Sequence, residues 1–272
     1  LTGSPLLPAS TIEHVRKIAE EIGYRPNRLA SQLASNKSYT IGFVVPEMEG
    51  KRGPFQIAYY ANLLDAAVRE AEKFGFTISI HTLPYNGNSV SRIKELFDSR
   101  GIDGVIVSGL SLNNRMLNPL IKTKVPFVII GYQRQKNEIP IINCRPIKAL
   151  KDMVKALEEK GYQEIIYVSG DMKFYDSVLQ KEDLYDALTS SAIRLSKELS
   201  GDYSRKSGYS AALDIFKNKF KKKTVVLLAN DLMATGFYRY AYEHQIAIPQ
   251  KVGVIGSDDE VISRTLFPEL AT

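Results

Sequence analysis

One cysteine in 272 residues is too few for an internal disulfide or a cysteine-built zinc site, and the lone thiol, Cys144, suits a reducing compartment. Histidine is almost as scarce: His14, His81 and His244 are scattered, and none forms a pair at metal-ligand spacing. No apolar run approaches the ~18 residues of a membrane-spanning helix. No signal-peptide pattern precedes the first amphipathic stretch, so the expectation is a cytoplasmic protein without a membrane partner. The Gly-rich phosphate loops of the P-loop and dinucleotide types are missing, as is a Gly-x-Ser-x-Gly elbow. Nothing in these patterns calls for a cofactor.

What is present describes an ordinary globular chain. Hydrophobic residues make up 44% and charged ones 24%, enough for two core-forming units. The net charge of +6 suggests an anionic partner, but Lys217, Lys219, Lys221, Lys222 and Lys223 supply five of those charges in one tract. Such a run reads as a solvated helix end, and without it the balance is +1. A nucleic-acid claim has to rest on something other than net charge.

Near the start, Ser10-Thr11-Ile12-Glu13 has the form of a capping box. Behind it Ile12, Val15, Ile18, Ala19 and Ile22 fall on one helical face that a single helix cannot bury alone. From Tyr39 onward strands and helices alternate. Thr40–Val45, Thr77–His81, Gly104–Val107 and Phe127–Ile130 are apolar, β-branched runs of strand length. Between them the best amphipathic stretch is Tyr60–Phe74, with Tyr60, Leu64, Ala67, Val68, Ala71 and Phe74 on one face. A second series follows. Helices are expected over Pro146–Lys160, Leu179–Ser190, Arg205–Phe220 and Asp231–His244, with strands over Glu164–Ser169, Thr224–Leu228 and Lys251–Ile255. This alternation predicts an α/β protein of parallel sheets flanked by helices, in two halves that divide near Asn143.

The stretch from Gly23 to Pro46 joins the basic helical piece to the α/β body. Asn27 to Ser35 is long enough for two turns of helix, with Leu29 and Leu33 on one face, and too short to be stable without a partner. Gly23-Tyr24-Arg25-Pro26-Asn27, Ala30-Ser31-Gln32-Leu33-Ala34 and Ile41-Gly42 resemble, in order and without a gap, the lactose-repressor/galactose-repressor family of bacterial transcription regulators. The resemblance runs through the chain. It is carried by Ile102-Asp103-Gly104-Val105-Ile106, Gly201-Asp202-Tyr203-Ser204 with Ser207-Gly208-Tyr209, and Ala229-Asn230-Asp231-Leu232-Met233-Ala234-x-Gly236. Gly256-Ser257-Asp258-Asp259 and Phe267-Pro268-Glu269-Leu270-Ala271-Thr272 extend it.

The resemblance implies a two-lobed, periplasmic-binding-protein-like effector domain preceded by a partial helix-turn-helix headpiece and a hinge helix. The implied boundaries are 1–38 for the headpiece with its hinge, 39–143 for the first lobe and 144–272 for the second. It also implies that a recognition helix precedes Leu1 and that further chain follows Thr272. The implied activity is sequence-specific DNA binding, most simply as a repressor. The implied partners are double-stranded operator DNA, a second copy of the chain in a homodimer and a sugar-like effector, with a protein corepressor as a further option. On the DNA side the hinge would place Leu33 in the minor groove beside Leu29. Arg25, Arg28 and Lys37 would meet phosphates, and Tyr24, Asn27 and Gln32 belong to the same motif.

In open α/β sheets, ligands sit outside the carboxyl ends of strands. Ser108, Asn143, Asn230 and Asp258 stand at such ends, and Tyr203 with the Tyr59-Tyr60 pair offers flat faces to a ring. Each has a plainer reading: Asn230 as the cap of the helix opening at Asp231, and Tyr203 as core. Two positions depart from sugar-responsive relatives. Asn143 stands where an aspartate is common, and Gln180 lies near where an arginine is common, which removes two strong hydroxyl and anion clamps. The rival readings are an exported sugar receptor of the same fold, which leaves the hinge without a purpose, and a sugar-processing enzyme using the Asp258-Asp259 pair.

Overall fold

The computed structural model describes residues 8–24, 32, 34–47, 53–84, 87–112, 115–131, 139–143 and 145–272. Helix α1 spans Ala9–Glu21. It begins two residues earlier than a cap at Ser10 would require, because the carbonyl of Pro8 already accepts from the amides of Thr11 and Ile12. No side chain caps this end, so the expected capping box is not formed. Val15 and Ile18 are each 43% exposed and Ile22 is 72% exposed, so the apolar face of α1 lies open among the described residues.

The first sheet holds β1 (Thr40–Pro46), β2 (Thr77–Leu83), β3 (Gly104–Ser108), β4 (Phe127–Ile130) and β5 (Ile141–Ile142). Its order is β2-β1-β3-β4-β5 and every pairing is parallel. Helices α2 (Ala58–Lys73), α3 (Gly87–Asp98) and α4 (Leu117–Ile121) connect its strands. The period-two alternation of β1 divides its side chains between two cores. Phe43 and Val45 pack with Tyr60, and Val44 packs with Val90, Ile93, Val107 and Leu120. Phe74, expected on the buried face of α2, is 69% exposed, because the helix has ended at Lys73.

The second sheet holds β6 (Glu164–Ser169), β7 (Arg194–Ser200), β8 (Thr224–Leu228) and β9 (Gly253–Ile255), in the parallel order β7-β6-β8-β9. Around it lie α5 (Ile147–Glu159), α6 (Tyr175–Leu188), α7 (Arg205–Ile215) and α8 (Asp231–Glu243). Three expectations are corrected here. Helix α6 opens at Tyr175, a turn before the apolar spacing at Leu179. Helix α7 stops at Ile215, five residues short of the expected Phe220, although the apolar spacing continues. Phe216 and Phe220 meet edge to face at 5.5 Å from a turn, and so still fill the same core. Strand β7 was absent from the sequence reading; it is an edge strand with no fully buried residue.

Helix α8 is packed so closely on α7 that both crossing points need glycine. A Cβ on Gly208 would lie 1.9 Å from the carbonyl oxygen of Met233, and one on Gly236 would lie 1.9 Å from that of Arg205. The two sheets meet where Ser111 bridges Phe174 and the amide of Leu112 donates to the carbonyl of Lys173 at 2.7 Å.

Candidate functional site

The carboxyl ends of the strands from both sheets converge beside that junction, at the place where open α/β sheets take ligands. From the second sheet comes Tyr203, in the turn between β7 and α7. Its backbone is left-handed, φ +62°. Its ring lies against Gly170, where a Cβ would be 1.9 Å from the ring. Its hydroxyl is 2.6 Å from Ser177 Oγ, and Ser177 is also 2.7 Å from the carbonyl of Asp171. A carbonyl can only accept, so Ser177 donates to Asp171 and Tyr203 donates to Ser177. Burial raises the Tyr203 phenol well above its ordinary pKa; the bond to Ser177 partly offsets this, and Asp176, Asp258 and Asp171 add to it.

Asn230 opens α8 as its cap. Its Oδ1 accepts from the amide of Met233 at 2.9 Å, and its Nδ2 donates to the carbonyl of Tyr203 at 3.3 Å. The side chain is 4% exposed, so the capping role is realised and the amide also fixes the turn that carries Tyr203. Gln180 on α6 donates from Nε2 to the carbonyl of Ala229 at 3.4 Å; its Oε1 is buried and meets no partner among the described residues.

Asp258 follows β9 with a left-handed backbone, φ +100°. Its outer surface is exposed, but desolvation by the flanking protein pushes its pKa up to about 7, with Glu260 and then Asp231 adding repulsion. Glu260 and Asp231 are themselves raised, first by burial. Asp231 is fully buried, accepts from the amide of Glu260 at 2.8 Å and presses on Gly256, where a Cβ would lie 2.0 Å from its Oδ1. The neighbouring Asp259 faces Arg264 at 3.5 Å, so the carboxylate pair is divided between two environments.

From the first sheet comes Tyr60 on α2, buried, edge-on to Tyr59 at 5.2 Å. Its hydroxyl would lie 2.2 Å from a Cβ on Gly109, which has φ +77°. Burial raises the Tyr60 phenol, and Tyr59, Asp176 and Tyr203 add to the shift, which places Tyr60 and Tyr203 in one electrostatic neighbourhood across the junction. Asp176 reaches toward the first sheet: its Oδ1 would be 3.2 Å from a Cβ on Gly131 at the end of β4.

The structure thus gathers Tyr59, Tyr60, Gln180, Tyr203, Asn230 and Asp258 around the strand ends. Ser108, at the end of β3, is fully buried, whereas Asn143 is exposed beyond β5. Asp171, Asp176, Ser177 and the glycines at 109, 131 and 170 were not in the sequence reading. The missed start of α6 hid Asp176 and Ser177, which lie in its first turn. Among the described residues no three His, Cys, Asp or Glu side chains are grouped to hold a metal ion. No described helix is long and apolar enough to cross a membrane.

On the N-terminal side, Arg25, Asn27, Arg28, Leu29 and Leu33 lie outside the described residues. Tyr24, 55% exposed, closes α1 by donating its amide to the carbonyl of Ala19 at 2.8 Å. Gln32 is helical and its Nε2 donates to the carbonyl of Ser38 at 2.5 Å, while Lys37 is exposed.

Comparison with known proteins converges on one group. A periplasmic binding protein-like domain family matches residues 154–272. Catabolite control protein A of Priestia megaterium is 26% identical over 275 residues, covering 100% of this chain and 80% of that protein. The HTH-type transcriptional regulator AscG of Escherichia coli K12 is 26% identical over 276 residues, with the same two coverages of 100% and 80%. Among solved structures, the lac repressor dimer bound to operator and the anti-inducer ONPF superposes with a TM-score of 0.75 at 24% identity. That match covers 91% of this chain and 84% of the other.

Proposed function

We propose that the chain is a member of the lactose-repressor/galactose-repressor family of transcription regulators, a bacterial, sequence-specific DNA-binding repressor controlled by a small sugar-like effector. In this reading residues 1–38 carry the DNA-binding piece and hinge. The lobes 39–143 and 144–272 hold the effector between them, and the working unit is a homodimer in the cytoplasm. The observation that carries the reading is the union of two parts. One is the open apolar face of α1, which needs a partner. The other is the two-sheet body, whose strand ends bring Tyr60, Tyr203 and Asp258 together.

The chemistry of the cleft suits a neutral polyhydroxyl ligand. Asp258 accepts from hydroxyls, Tyr203 keeps an acceptor lone pair after donating to Ser177, and the tyrosine faces pack on a ring. We assign no turnover to it, since Asp259 is turned to Arg264 and the two adjacent carboxylates are not directed together at one point. A ligand that closes the lobes would bias the hinge through its differential affinity for the two arrangements. The test is a selection of random duplex DNA by the full-length protein, followed by operator titrations against neutral sugars. The expected result is one enriched sequence whose affinity a sugar shifts; enrichment of no sequence would overturn the proposal.

A further inference from the structure

Strand β3, which ends at the buried Ser108, begins beside the segment that leads into β1. Asp103, one residue before β3, holds two consecutive amides: Oδ1 accepts from Ser38 N and Oδ2 from Tyr39 N, each at 2.8 Å. Its own amide donates to the carbonyl of Thr40 at 2.7 Å. The backbone it grips is unusual. Asn36 has φ +58° and Tyr39 φ +52°, two left-handed non-glycine residues in four. Such conformations persist only where the surroundings fix them. Arg100 supplies a further tie by donating to the carbonyl of Asn36 at 3.0 Å, and Gln32 closes the segment on itself through Ser38. Tyr39 is braced by Phe76 at 5.6 Å. The turn that ends the hinge is therefore shaped by side chains of the body, with a carboxylate at its centre.

The geometry points to Asp103 as the positioning residue that fixes where the DNA-binding segment leaves the first lobe. It acts through the amides of Ser38 and Tyr39. A neutral amide at this position offers one acceptor where the carboxylate offers two, and charge-assisted bonds to backbone amides are roughly twice as strong as neutral ones. The role rests on the regulator reading given above, and its test separates the two.

The experiment compares the full-length parent protein with Asp103→Asn, Asp103→Ala and, as a milder second site, Arg100→Ala. Hydrogen exchange is followed across residues 32–40 and across β1 and β3. In parallel, binding is measured to the duplex that the parent enriches from a random library. Asp103→Asn should speed exchange at residues 38–39 about tenfold, the effect of losing one charge-assisted bond. It should weaken DNA binding by a similar factor while leaving exchange in β1 and β3 as in the parent. A merely structural role would instead raise exchange across both strands together. Unchanged exchange at 38–39 overturns the proposal, as does DNA affinity within twofold of the parent once that segment has opened. If the parent enriches no sequence, the regulator reading fails on its own, and exchange at 38–39 still decides whether Asp103 sets the turn. Should Asp103→Ala fail to fold, Asp103→Asn and Arg100→Ala supply the same comparison.

Discussion

The hydroxyl of Tyr203 lies 2.6 Å from Ser177 Oγ, so the turn after β7 is tied to the first turn of α6. Ser177 passes the chain of bonds on to the carbonyl of Asp171. Removing the hydroxyl leaves the ring on Gly170 and Ser177 still bonded. Tyr203→Phe should therefore cost only about 0.5–1.5 kcal/mol of stability, measured by urea unfolding. Gly170→Ala should do more, because the new methyl occupies the ring's place. It should displace Tyr203 and weaken effector binding in calorimetry while Tyr203→Phe retains most of it.

Asn230 joins the cap of α8 to the Tyr203 carbonyl, and two substitutions separate these tasks. Asn230→Ala loses both and should cost about 1–2 kcal/mol. Asn230→Ser keeps a cap acceptor and loses the donor to Tyr203. Its stability should stay closer to the parent, and its effector affinity should fall. Equal stability loss in the two variants would contradict this division of roles.

Ionisation of Asp258 gives a pH dependence with a fixed sign. Its pKa of about 7 in the folded protein stands above the ordinary 3.8. Between those values the folded chain holds a proton that the unfolded chain has released. The stabilising effect of the protonated group is thus complete below the unfolded pKa and is lost as pH rises through about 7. Asp231 and Glu260 are shifted in the same direction and add to the trend. Denaturant midpoints taken on either side of pH 7 should differ less in Asp258→Asn than in the parent. Hydroxyl-donating ligands should bind the parent better above that pH, where the carboxylate is a pure acceptor.

Where α7 crosses α8, Gly236→Ala would force a methyl to 1.9 Å from the Arg205 carbonyl, a backbone atom with no room to yield. The cost should be about 3 kcal/mol in urea unfolding, the upper end for overpacking. A loss below about 1 kcal/mol would mean that the two helices separate easily.

Much of this fold was legible because its central strands are buried on both faces. Glu164–Ser169 and Thr224–Leu228 are β-branched or apolar almost throughout, and both strands have the bounds their sequence implied. β7 was not legible, since Arg-Leu-Ser-Lys-Glu-Leu-Ser at a sheet edge buries no residue fully. The end of α7 was misjudged for a different reason: Phe216 and Phe220 keep helical spacing while packing from a turn. Tyr203, Asn230 and Asp258 stand out in the sequence because polar groups at strand ends have a general use. Asp176 and Ser177 were not, because α6 begins before its apolar face does. Asp103 was visible only as part of a strand motif; the amides it grips are 64 and 65 residues away in sequence, a pairing that only the folded chain reveals.

The measurement that tests the central claim most directly is an operator titration of the full-length protein with and without a cleft-binding sugar, run on the parent and on Asp258→Asn. The operator is the duplex enriched from a random library, and the sugar is the neutral one that binds the parent most tightly in calorimetry. A sugar-induced shift of about 5- to 150-fold in operator affinity is expected in the parent, the range of a typical coupling between two sites. In the variant the same shift should require a higher sugar concentration, reflecting the lost acceptor. A sugar that binds without changing operator affinity, or whose effect is identical in Asp258→Asn, would contradict the account.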